Sequence, residues 1–62
     1  MIDIIKELAA VIEEKRISPE TAARFLDCSG RQVRRWLEEK AIPNITSRRK
    51  IKLGLRRIKR NL

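Results

Sequence analysis

Apolar residues fall along this chain in separate blocks, and within each block their spacing is helical. Ile5, Leu8, Ala9 and Ile12 recur at i, i+3, i+4 and i+7, while Lys6, Glu7, Glu13 and Glu14 occupy the other side. That pattern predicts an amphipathic helix over residues 2 to about 15. Ile4 and Val11 widen its apolar arc to about half the circumference at ~100° per residue. Such an arc can be sandwiched between two neighbours, or can leave an edge for a second subunit.

Ser18-Pro19-Glu20-Thr21 reads as a helix start: Ser18 can cap, Pro19 suits the first helical position, and Glu20 and Thr21 fill the first turn. The helix runs to about Leu26, with Ala22, Ala23 and Leu26 inward and Phe25 flanking. Two adjacent alanines let another helix approach closely. After Asp27-Cys28, a third helix opens at Ser29 or Gly30 and continues to about Glu39. Val33, Trp36 and Leu37 face inward on it, and Arg31, Arg34, Arg35 and Glu38 lie opposite. The i,i+4 spacing also allows surface ion pairs between Arg34 and Glu38 and between Arg35 and Glu39.

Residues 41–46 hold Pro43 and Asn44 and read as a loop, with Ile42 and Ile45 as anchors to the core. Ser47 can cap a last helix over about 47–60, in which Ile51, Leu55, Ile58 and Leu62 recur. The rest of its circumference is cationic, and Leu53 falls among the cations. The expected fold is all-α, a compact domain of four (four to five) helices spanning residues 1–62, without internal repeats.

At 62 residues, a single domain buries only about 60% of its unfolded surface, so stability is expected to be modest and oligomerisation a natural supplement. Cys28 is the only cysteine and the chain has no histidine, which excludes an internal disulfide and leaves no zinc or His/Cys catalytic set. No cofactor, metal or small-molecule ligand is expected. With no glycine-rich phosphate loop and no room for a pocket, catalysis is not expected either. Cys28 reads as a small buried hydrophobe, and Trp36 as a core residue.

No run approaches the ~18 apolar residues of a membrane span, and MIDIIKELAAV carries an acid where a signal peptide has a basic region. The expectation is an unprocessed cytoplasmic protein in a reducing compartment, with no membrane partner. Net charge is +8. Residues 1–31 hold five bases and six acids, whereas residues 32–62 hold eleven bases and two acids. The basicity belongs to the second half, and polyanions are the leading class of partner.

The segment PETAARFLDCSGRQVRRWLE, residues 19–38, resembles a helix-turn-helix DNA-binding domain, most closely the lambda-repressor/Cro-like (XRE) family. Ala23 stands where that family has a small residue at the contact between the two motif helices. Ala22, Leu26, Cys28, Val33 and Trp36 match its surrounding apolar positions. VRRWLEEKAIPNITSRRKI looks like the family's passage from recognition helix through a proline-bearing loop into the next helix. Two positions depart from the pattern: Asp27 where glycine is common at the turn, and Gly30 where a polar side chain often meets a base.

The resemblance implies that the second motif helix enters the major groove of double-stranded DNA. Carried over by position, Arg31 and Arg35 become base-contacting candidates, since arginine's fork can bond guanine O6 and N7 together. Gln32 is a candidate for adenine or phosphate, and Glu38 has a less defined role. Ser29, Arg34 and Thr21 are candidates for the DNA backbone, as are Lys40, Asn44, Ser47, Arg48 and Arg49 after the recognition helix. Contacts of that kind set register and affinity.

The implied function is transcriptional regulation, chiefly repression, in a nucleoid-associated protein of bacterial, phage or plasmid origin. A homodimer on a two-fold site is expected on geometric grounds, through an apolar edge at Ile4/Val11 or through Leu53. Two other readings stand beside it. TAARFLDCSGRQVRRWLEEKAIPNI also looks like the opening of excisionase or MerR-type winged-helix proteins, which would make Ser47 to Leu53 strands. An antitoxin-like module would instead turn the basic surface toward an acidic protein.

Overall fold

The computed structural model describes residues 3–62, which form four helices and no strand. In chain order these are α1 (Ile4–Lys15), α2 (Pro19–Leu26), α3 (Gly30–Leu37) and α4 (Ile45–Asn61). Expected helical character at Ile2 lies outside the described residues. The region that the winged-helix reading needs as strands is the first half of α4, so that reading fails at the level of fold.

A short polar side chain opens every helix. Asp3 Oδ1 accepts from the Ile5 N–H at 2.9 Å, and Ser18 Oγ from the Thr21 N–H at 3.1 Å. Ser29 Oγ accepts from the Gln32 N–H at 3.1 Å, and Asn44 Oδ1 from the Ser47 N–H at 2.8 Å. Each bond engages a first-turn backbone donor that the i→i−4 ladder leaves without a partner, the Gln32 N–H being shared with the Ser29 carbonyl oxygen at 3.1 Å. Asn44 is therefore the cap of α4, and Ser47, the expected cap, lies inside the helix. Given two cap-competent residues three apart, the earlier one adds a turn of helix.

α2 ends at Asp27, whose φ of 56° is left-handed, a conformation that a short polar side chain tolerates. This breaks the helix and turns the chain through Cys28 and Ser29 into α3. Arg16 likewise ends α1 with a φ of 53°.

The core takes Ile4, Leu8 and Val11 from α1, Ala22, Ala23 and Leu26 from α2, Val33 and Trp36 from α3, and Ile51, Leu55 and Ile58 from α4. α2 packs against both α3 and α4, and α1 covers α4 and part of α3. α3 and α4 do not pack extensively on one another. Full burial of a Leu or Ile side chain contributes about 1.5–3 kcal/mol, so the buried residues of α4 make it an integral wall of a domain 26 × 22 × 19 Å across.

Several expected positions move. The inward stripe of α1 is centred on Ile4, Leu8 and Val11; Ile5 and Ile12 are only partly buried and Ala9 is exposed. An arc as wide as half the helix does not define its own centre, and here the packing of α3 and α4 sets it. This buries Ile4 and Val11 and removes them as an exposed dimer edge, leaving Leu53, which is 54% exposed. Ile42 and Ile45, expected as anchors, are 93% and 72% exposed, and Pro43 with Ala41 fills the position under the loop instead. Leu62 is likewise exposed beyond the last turn.

Gly54 takes an inward place on α4 that the apolar pattern did not mark. A Cβ built on it would lie 2.9 Å from both Leu26 Cγ and the Phe25 carbonyl oxygen. The missing side chain is what lets α4 close on the end of α2.

Candidate nucleic-acid interface

α3 is amphipathic because its eight residues place Val33 and Trp36 in the core and Arg31, Arg34 and Arg35 outward. The turn at Asp27 and the cap at Ser29 fix where the helix begins, and with it the direction of those arginines. Arg31, Arg34, Arg35, Glu38 and Lys40 together line an open depression on that outer face.

Acidic partners divide these cations into two kinds. Arg34 Nη2 lies 2.7 Å from Glu20 Oε2 on α2, and Lys40 Nζ lies 3.3 Å from Glu38 Oε2. Arg31 and Arg35 make no ion pair among the described residues and remain exposed. The expected i,i+4 pairs do not form: Glu20 captures Arg34 from the neighbouring helix, Glu38 turns to Lys40, and Glu39 takes a left-handed φ of 61° beyond the helix end. All four paired groups are half or more exposed, so each pair is weak and exchangeable.

Gly30, at the first position of α3, faces α2 rather than solvent. A Cβ there would lie 2.8 Å from Glu20 Cγ and 3.2 Å from Glu20 Cα. The absent side chain allows close approach of the two helix starts, and the same Glu20 then reaches Arg34. This pairing between helices is the feature that sequence spacing did not reveal.

The other candidates are placed less uniformly. Gln32 is half-buried on the flank of α3, outside the depression. Ser29 and Asn44 are exposed, with their side-chain oxygens engaged as caps, yet the Ser29 hydroxyl and the Asn44 amide keep protons to donate. The Thr21 hydroxyl lies 3.1 Å from Ser18 Oγ in the first turn of α2. Ser47 is half-buried in α4. Arg48 and Arg49 turn toward α1, sharing a groove with Ile4 and Glu7 and no residue with the α3 depression.

Cys28 sits in the turn between α2 and α3, packed partly against the core. Burial pushes its thiol above the ordinary value; nearby Lys50 opposes that shift and Asp27 adds to it. The thiol is therefore protonated and a poor nucleophile. No group of acids and cysteine able to hold a metal ion occurs among the described residues, and no helix is long and apolar enough to cross a membrane. No protein-family model, curated protein or solved structure matches the chain.

Proposed function

We propose that this domain binds double-stranded DNA sequence-specifically and acts as a transcriptional regulator, chiefly a repressor, of the lambda-repressor/Cro-like helix-turn-helix kind. The observation that carries this reading is the outer face of α3, where Arg31 and Arg35 have no ion-pair partner among the described residues and stand in a cluster that also holds Arg34 and Lys40.

An eight-residue helix is about 12 Å long, and a helix with its side chains fits a major groove about 12 Å wide. With α3 in the groove, Arg31 and Arg35 reach guanine edges, with Gln32 as a further candidate at the flank. Arg34 exchanges Glu20 for a phosphate, and Lys40 exchanges Glu38. Such exchange is cheap because exposed ion pairs contribute only ~0–1 kcal/mol. Thr21 and Ser29, at the two helix starts, supply neutral donors to the backbone. Leu53, an exposed apolar residue like Ile42, Ile45 and Leu62, is available for pairing two copies on a two-fold site, and the cytoplasm is the setting such a regulator requires.

Selection of bound duplexes from a random pool, followed by salt titration of the winning site, tests the reading. A recurring half-site is expected, together with log affinity falling by ~0.9 per phosphate contact with log salt. A pool without enrichment would overturn the sequence-specific reading, and affinity indifferent to salt would overturn the phosphate-contacting interface itself.

A further inference from the structure

The basic surface of α4 is separate from the one on α3. Lys52, Arg56 and Lys59 line a groove with Ile4 and Glu7 of α1, and Arg49 extends it toward the start of α4. From Arg49 to Lys59 the strip is about 15 Å long at the rise of an α-helix. None of these residues belongs to the α3 depression, and α3 and α4 do not pack extensively on each other.

Closing the core does not account for these cations. The buried residues of α4 are Ile51, Gly54, Leu55 and Ile58, and the helix contains no acid. Among the described residues only Lys59 of its cations has a carboxylate partner, Glu7 at 3.4 Å. Arg49, Lys52, Arg56 and Lys59 follow one another at spacings of three and four, so like charges repel along the whole strip. A polyanion in the groove relieves that repulsion. Among the described residues no aromatic side chain lines the groove to stack on unpaired bases, which favours the backbone of a duplex over a single strand.

We propose that the α1–α4 groove is a second, sequence-indifferent surface for duplex DNA, so that one domain holds two DNA segments at once. The proposal rests on α3 reading the first segment. Phosphates of the second segment lie along Lys52, Arg56 and Lys59, and the domain becomes a bridge between distant parts of one DNA molecule.

Capture of a fluorescent duplex by protein bound to an immobilised duplex tests it. The wild-type protein is expected to retain the second duplex. Lys52→Gln/Arg56→Gln/Lys59→Gln is expected to bind a single duplex within about fivefold of wild type, while capture of the second falls about tenfold or more. Glu7→Gln, which removes the one acid from the groove, should raise capture; it gives a readout even if the triple variant melts early by circular dichroism.

Undiminished capture by a folded triple variant would overturn the proposal, as would a wild-type protein that shifts one duplex but captures none. Binding to phosphatidylserine vesicles in place of the second duplex would overturn it in favour of a lipid surface. Failure of the α3 reading has a different signature: Arg31→Gln/Arg35→Gln would keep its sequence preference on a single duplex, which would overturn both.

Discussion

The guanidinium of Arg34 on α3 lies 2.7 Å from the carboxylate of Glu20 on α2, joining the outer face of α3 to the first turn of its neighbour. Both side chains are more than half exposed, so the pair adds little to stability. Its effect is on charge, because it neutralises one arginine of the α3 cluster. Glu20→Gln keeps the atoms that pack on Gly30 and removes the charge. Affinity for any duplex should rise up to about fivefold, as the ~0–1 kcal/mol needed to break the pair no longer opposes binding. Fluorescence anisotropy across a salt series measures this, with the slope expected to stay as in wild type because Arg34 meets a phosphate in both complexes; weaker binding would show that Glu20 orders Arg34 for contact rather than restraining it.

Gly54→Ala should destabilise the domain although alanine is the better helix former. The propensity gain is about 1 kcal/mol. Against it, the new Cβ would press on Leu26 Cγ and the Phe25 carbonyl oxygen, each 2.9 Å away, and overpacking of a closed core costs ~1–3 kcal/mol. A lower denaturant midpoint is expected. Combined with Leu26→Ala, the two losses should sum to less than their separate values, since the cavity accepts the methyl group. A midpoint above wild type would mean that α2 and α4 separate freely.

Asn44→Ala should cost about 1 kcal/mol by loss of the α4 cap, within the usual range of ~0.5–2 kcal/mol. Ser47→Ala should cost much less, because its hydroxyl caps nothing. For a domain of this size ~1 kcal/mol corresponds to roughly 4–8 °C in melting temperature, which separates the two variants in a thermal scan. The reverse ranking would place the start of α4 one turn later.

Local rules account for some of these features and not for others. The limits of α2 and the inward set Ala22, Ala23 and Leu26 follow from capping and periodicity, which are local, and the structure agrees. The outward set Arg31, Arg34, Arg35 and Glu38 is legible for the same reason. The centre of α1 was not, because six apolar residues spread over half a helix fit several rotations and only the neighbours choose among them. Ile42 and Ile45 look like anchors by hydropathy, but Ile42 lies in a loop, which has no period, Ile45 opens α4 on its exposed side, and Pro43 took the buried place. Gly54 had a signal, an isolated glycine within a helical pattern, which marks close approach of another element. The Glu20–Arg34 pair spans fourteen positions and two helices, and no local rule points to it.

The proposed reading of DNA by α3 through Arg31 and Arg35 is decided by the affinity of single variants for the selected site against a scrambled duplex. Arg31→Ala and Arg35→Ala should each lose ~1–3 kcal/mol of discrimination, about 5- to 150-fold in the ratio of the two affinities. Arg34→Ala should weaken both duplexes alike and leave the ratio unchanged. Equal losses on both duplexes for Arg31→Ala and Arg35→Ala would contradict the claim and put the recognition surface elsewhere on the domain.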